Sequence, residues 1–216
     1  MERDYTWKPA WSPILRECDV HPHVAAERAD LFEVADGGST EYEVLNWLHS
    51  TIRVLKPDLV LETGAWEGFG TTALAHACKL NGFGKVHSLE VLPPQCVRLQ
   101  TVLEEEHLLK WAEVHCVDSL EFLQQSNMVF DIGFFDSLTE IRPIECEIML
   151  NKGTLRKLAV FHDTSPYRSD SAPDWTSPQT QSEYREKIFA LAKHPRCTGY
   201  YDSPLSRGFM ALFLKG

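Results

Sequence analysis

The sequence predicts an α/β fold, a three-layer αβα sandwich around a seven-stranded, mostly parallel sheet whose last strand is antiparallel. Two observations carry this. From residue 58 onward, five short runs rich in apolar and β-branched residues alternate with stretches of helical periodicity. The last two runs, 198–203 (TGYYDS) and 209–214 (FMALFL), are joined only by PLSRG. That link is too short for a crossover helix, so the final pair must be antiparallel.

The elements follow in order. Thr40 and Glu43 have the spacing of a capping box, and Val44, Leu48, Ile52 and Leu55 form an apolar stripe behind it. Pro57 stops that helix. The five parallel strands are predicted at 58–63 (DLVLET), 85–91 (KVHSLEV), 112–118 (AEVHCVD), 130–136 (FDIGFFD) and 158–163 (LAVFHD). Between them, Gly70, Leu74, Ala77 and Cys78 share one helical face, as do Cys96, Leu99 and Leu103. Residues 119–125 form a further helix, and Tyr184, Ile188 and Leu191 mark one after the fifth strand. Two segments stand outside the sheet. In 1–38 only 24–34 looks helical, and 164–181 is a long polar loop containing Tyr167, Arg168 and Trp175.

With 216 residues, 44% of them hydrophobic, the chain suits one large domain that needs no staples. Its formal charge of −10 disfavours a nucleic-acid partner. No run reaches membrane-spanning length and residues 1–13 lack the apolar core of a secretory signal, so a cytoplasmic location is expected. The cysteines at 18, 78, 96, 116, 146 and 197 form no C-x-x-C pair and are read as free, structural thiols.

The first strand runs into Glu62-Thr63-Gly64-Ala65-Trp66-Glu67-Gly68-Phe69-Gly70 and then a helix. In open α/β sheets, ligands bind beyond the carboxyl ends of the strands at the topological switch. Gly64 permits a sharp turn, and Gly68 and Gly70 let the helix start pack near the sheet. Glycines at 64, 68 and 70 do not match the dinucleotide spacing G-x-G-x-x-G. Glu62 suits an amine-bearing cationic ligand and repels a pyrophosphate. Glu90 ends the second strand, where a carboxylate can accept both hydroxyls of a ribose. Asp118 and Ser119 end the third, where they can meet a purine amine, or Asp118 can simply cap the next helix. Asp136 ends the fourth strand at the same sheet edge.

The run LETGAWEGFGTTALA, followed by Glu90, Asp118, FDIGFFD, FHDTS and the closing hairpin, resembles the class I S-adenosylmethionine-dependent methyltransferases. It looks most like the small catechol-type and cephalosporin-hydroxylase-like O-methyltransferases. The resemblance covers roughly residues 40–216 and implies a Rossmann-like methyltransferase domain at 39–216, with 1–38 an N-terminal extension on the substrate side. It implies a loop of Glu62, Gly64, Ala65, Trp66 and Gly68 around the methionine and sulfonium, Glu90 on the ribose, and Asp118 and Ser119 near the adenine, with Asp136 closing the site. The family often places a hydroxyl at the position of Gly70, which this chain lacks. The implied activity is methyl transfer from S-adenosyl-L-methionine to a small molecule, most simply at a hydroxyl oxygen, with N-methylation as a variant. A homodimer is a further expectation.

Metal-dependent relatives hold Mg2+ with residues matching Asp136 and either His162-Asp163 or Asp163-Thr164. Mg2+ prefers oxygen donors, so a histidine there suits Mn2+, Fe2+ or Zn2+ better. Three readings of Asp136, His162 and Asp163 stay open: a divalent metal site, a metal-free catalytic group with His162 as general base, and a structural His-Asp pair. His76, His87, His107, His115 and His194 show no mutual spacing that suggests ligands, and His21 and His23 lie in a Pro-flanked segment. The acceptor is expected among Trp7, Trp11, Tyr167, Arg168, Trp175 and Arg207. The rival functions are an NAD(P)-dependent oxidoreductase and a non-catalytic cofactor-binding protein.

Overall fold

The computed structural model of the protein describes residues 19–20, 32–34, 38–171 and 176–216. In chain order the domain runs α1 (Tyr42–Leu55), β1 (Leu59–Thr63), α2 (Phe69–Asn81), β2 (Lys85–Glu90), α3 (Pro93–Glu105), β3 (Ala112–Cys116), α4 (Ser119–Gln125) and β4 (Phe130–Phe135). It continues with α5 (Arg142–Lys152), β5 (Leu155–His162), α6 (Arg168–Ser171), α7 (Pro178–Leu191), β6 (Cys197–Ser203) and β7 (Phe209–Leu214). Before α1, Asp19–Val20 pairs antiparallel with Glu33–Val34. The helix expected over 24–34 therefore gives way to strand at its end, and 24–31 lie outside the described residues.

The seven strands lie in the order β3-β2-β1-β4-β5-β7-β6. The first five are parallel, and β7 inserts antiparallel between β5 and β6. The chain leaves β1 toward β3 on one side and returns beyond β1 with β4, so the switch point lies between β1 and β4. Register sets Thr63 beside both Leu89 and Phe135, and Phe135 beside Phe161. The carboxyl ends of β1, β2, β4 and β5 thus share one edge. Because β7 runs the other way, the turn before it returns to that edge, with Phe209 opposite His162.

Alternating strand residues feed two cores. Val60, Ile132, Phe134 and Val160 pack under α1 and α2 with Leu45, Leu48 and Leu74. Leu61, Phe135, Ala159 and Phe161 pack on the other face with Met149, Tyr184 and Ile188 of α5 and α7. Leu45, Leu48 and Ile52 are fully buried, and each such side chain contributes about 1.5–3 kcal/mol.

Three local readings change. The N-cap of α1 is Glu41, without a side-chain cap, because the Thr40 hydroxyl turns away to Asp136. α5 fills a stretch for which no apolar stripe stands out in sequence, since its inner face carries the buried charges Arg142 and Glu145. Within the polar segment 164–181, Thr164 and Ser165 are buried, and Ser177 caps α7 by accepting the Thr180 N–H at 3.1 Å. Cys78, Cys96, Cys116, Cys146 and Cys197 are free thiols, and among the described residues no helix is long and apolar enough to cross a membrane.

Candidate active site

The turn after β1 is built by close backbone approach. Gly64 has φ +77°, and its N–H donates to the Leu89 carbonyl at 2.9 Å. A Cβ there would stand 2.5 Å from the Asp136 carbonyl oxygen and 2.6 Å from Ser137 Cα, so the exit from β4 requires glycine. α2 then starts at Gly68 with no side-chain cap and no acidic residue in its first turn. Its leading N–H groups suit an anionic group of a ligand.

Glu62 lies beneath this turn, fully buried, accepting the Ser88 hydroxyl at 2.6 Å and the Thr71 hydroxyl. Burial pushes its carboxyl up to about 8. A Cβ on Gly70 would collide with Glu62 Oε1, so no side chain has room at this position. Glu90 accepts the Trp66, Val91 and Leu92 N–H groups, each at 2.9 Å. These bonds aim the carboxylate at the loop that carries Trp66.

The turn and the exit of β4 thus bound a shallow cleft that is partly open to solvent. Of the residues expected at the cofactor, Glu62, Gly64, Ala65, Trp66 and Asp136 line it, joined by Ser39, Thr40 and Gly70. Gly68, Glu90, Asp118 and Ser119 stand around it without lining it. Asp118 is exposed and caps α4 by accepting the Glu121 N–H at 3.0 Å. The Ser119 hydroxyl points inward to Glu145. That buried carboxylate also accepts Thr63 Oγ1 at 2.8 Å and Ser137 Oγ at 2.9 Å, tying together the exits of β1, β3 and β4.

Asp136, His162 and Asp163 do come together, with donor atoms within 4.8 Å of one another. His162 Nδ1 is 3.0 Å from Asp136 Oδ1, and its Nε2 is 2.5 Å from Glu41 Oε2. Burial opposes a charge on this ring, but the Asp136, Asp163 and Glu41 carboxylates outweigh it and push its pKa up to about 9. Glu41, buried as well, is held down at about 2 by His162 and Arg207 against its desolvation. His162 is therefore an imidazolium at neutral pH with both nitrogens engaged, behind the cleft rather than in its wall.

Asp163, at φ +56°, is enclosed by guanidinium groups. Arg168 Nε donates to Oδ1 at 2.8 Å, Arg207 Nε to Oδ1 at 2.9 Å, and Arg142 to Oδ2 at 3.3 Å. These cations hold its carboxyl well below the usual range despite burial. Arg142 also reaches Asp136 Oδ1 at 3.0 Å and the His162 carbonyl at 2.6 Å. Three carboxylates, from Glu41, Asp136 and Asp163, thus face three guanidinium groups and one imidazolium. The cluster already carries an excess positive charge, so in this arrangement the donor set does not fit a divalent cation.

Glu41, Arg142, Glu145 and Gln181 have no role in the sequence reading. Gln181 Nε2 donates to the carbonyls of Asp163 and Ser165, at 2.6 and 2.8 Å. Arg142 alone leaves a clue, because a cation in the first turn of a helix opposes the helix dipole and calls for a specific partner. Arg168 and Arg207, expected as acceptor walls, are instead consumed by Asp163. Tyr167 remains exposed, and Trp7, Trp11 and Trp175 lie outside the described residues.

No family model matches the sequence, and no curated protein matches it. Solved structures share the fold. The SAH-bound methyltransferase PaMTH1 of Podospora anserina superposes with a TM-score of 0.68 at 16% identity, over 83% of this chain and 81% of that one. The O-methyltransferase of Bacillus cereus in complex with SAH gives 0.67 at 21% identity, over 83% and 84%. The O-methyltransferase TomG of Streptomyces achromogenes, involved in tomaymycin synthesis and solved with SAM, gives 0.67 at 19% identity, over 82% of each chain. The chain has the Rossmann-like methyltransferase fold.

Proposed function

We propose that the protein is an S-adenosyl-L-methionine-dependent methyltransferase acting on a small molecule, with a hydroxyl oxygen as the favoured acceptor. The observation that carries this reading is the cleft at the switch point, lined by buried Glu62 and the glycine turn, with Glu90 beside it bonded to the Trp66 N–H of that turn. The fold shared with SAM- and SAH-bound O-methyltransferases supports it.

The chain's groups suit the cofactor's parts. Glu62 offers a carboxylate to an ammonium group, and the charge of that partner favours its ionised form. The uncapped start of α2 offers N–H groups to a carboxylate. Glu90, preset by three N–H groups, offers its remaining acceptor capacity to ribose hydroxyls. When bound, the cofactor supplies a methyl group on a sulfonium that is already activated, so alignment provides most of the acceleration.

Asp136 is the catalytic residue of this reading, since it is the carboxylate of the ion cluster that lines the cleft. Its contacts to Thr40, His162 and Arg142 leave acceptor capacity for a substrate hydroxyl, whose proton it orients or accepts. His162, Glu41 and Asp163 are positioning residues that hold Asp136 in place. No step passes through a metal. Gly38 and Ser39, just before α1, line the cleft. The cytosol is the compartment that agrees with the free thiols among the described residues.

The test is transfer of labelled methyl from the cofactor to a panel of phenols, catechols, sugars and amines, with and without chelator. Chelator-resistant O-methylation of one class supports the reading. Methylation restricted to amines moves it to the N-methyl variant. Cofactor binding without transfer to any acceptor points to a binding protein instead.

A further inference from the structure

The outer part of the sheet carries a cluster that methyl transfer does not use. His87 on β2 and Glu113 and His115 on β3 are far apart in sequence, and their spacing resembles no ligand motif. Parallel pairing sets His87 beside Glu113 and Leu89 beside His115, which places all three side chains on one face. His87 Nδ1 lies 2.9 Å from His115 Nε2, with the rings stacked at 5.1 Å and 17°. Glu113 Oε1 lies 3.8 Å from the same His115 nitrogen, and its Oε2 is held by Lys85 Nζ at 2.6 Å.

We infer that His87, Glu113 and His115 form a binding site for a zinc-class divalent transition metal, joining edge strand β3 to β2 away from the cofactor cleft. Two imidazoles and a carboxylate are the donor types such ions take, whereas Mg2+ and Ca2+ prefer oxygen alone. A tetrahedral ion with bonds of about 2.0–2.1 Å sets neighbouring donors about 3.3 Å apart. The gaps of 2.9 and 3.8 Å lie on either side of that value, and all three donors fall within 4.8 Å. Small rotations of the partly exposed His115 and Glu113 close the site.

The electrostatics agree with the geometry. Burial holds His87 down at about 4 and shifts His115 in the same direction, which disfavours the imidazolium in both rings. The Lys85 contact favours ionised Glu113 and fixes its second oxygen, leaving Oε1 toward the histidines. Three protein donors leave a fourth position for water on the exposed side. His87 lies three residues before Glu90 on β2, about 10 Å along the strand, so the site is separate from the cleft.

The test uses the full chain, stripped of metal and titrated with Zn2+ by calorimetry and with Co2+ by visible absorption. One ion per chain is expected, with the intense bands of four-coordinate Co2+. Zn2+ at about a hundredfold excess over Kd should raise Tm by about 5–10 °C. His115→Ala should abolish binding and the rise, and Glu113→Gln should weaken binding at least about tenfold. Circular dichroism confirms that each variant is folded. Asp136→Asn, at the other cluster, should leave the Co2+ bands unchanged. The inference fails if the wild type binds neither ion, if binding survives both His115→Ala and Glu113→Gln, or if Asp136→Asn removes it.

Discussion

Glu41→Gln asks whether charge holds together the cluster behind the cleft. Glu41 is fully buried, 2.5 Å from His162 Nε2, and accepts the Arg207 N–H at 2.9 Å. Glutamine keeps the volume and a hydrogen bond but removes the negative charge. Raising His162 from 6.5 to about 9 corresponds to about 3 kcal/mol of preference for the imidazolium. Asp136, Asp163 and Glu41 supply it together while Arg207 opposes it, so Glu41 contributes part of that figure. Outright removal of one partner from a buried pair costs about 3–5 kcal/mol, and the amide retains some of the contact. The expected loss is about 2 kcal/mol at neutral pH, or a fall in Tm of about 4–8 °C for a chain this size. The sign with pH follows from the direction of each shift. His162 has a raised pKa in the folded state, so its contribution is complete below 6.5 and is lost as pH rises through about 9. Glu41 has a depressed one, so its contribution is present above 4.5 and is lost as pH falls toward about 2. Urea unfolding of both proteins across these two windows measures the effect. The variant should be less stable between them and show flatter slopes in both. A loss below about 0.5 kcal/mol with an unchanged alkaline slope would refute the reasoning.

Three further outcomes are expected. Gly70→Ala forces a Cβ against Glu62 Oε1 and should cost about 1–3 kcal/mol together with cofactor affinity, read by thermal melts and calorimetry; a wild-type melt would contradict the packing account. Asp136→Asn should lower kcat about 100-fold or more while the KM for the cofactor changes little, and wild-type turnover would remove Asp136 from the chemistry. Treatment with EDTA should leave transfer unchanged, because the Asp136 and Asp163 carboxylates are already paired with cations of the chain; a loss restored by Mg2+ would instead place a metal there.

The central strands β1, β4 and β5 are legible in the sequence because they are buried on both faces and read as apolar runs, whereas edge strand β3 is only partly buried and is recognised by its place in the alternation. The strand ends then locate Glu62, Glu90 and Asp136 at one edge without further information. The short PLSRG link suffices to reverse β7. The ion cluster is not legible in the same way. Its members come from positions 41, 136, 142, 162, 163, 168 and 207, and the set is complete only when the turn before β7 returns to the carboxyl edge. Local rules also mislead where tertiary partners compete: Thr40 has the spacing of a cap but bonds Asp136, and Ser119 has the position of a ligand contact but bonds Glu145. The histidine pair on β2 and β3 depends on strand register, which spacing along the chain does not encode.

Calorimetric titration with S-adenosylhomocysteine tests the central claim most directly. One molecule should bind per chain, and Glu90→Ala, which removes the carboxylate proposed to accept the ribose hydroxyls, should weaken binding by about tenfold or more, the equivalent of about 1.4 kcal/mol. No binding of S-adenosylhomocysteine, or binding of NADH in its place, would contradict the account.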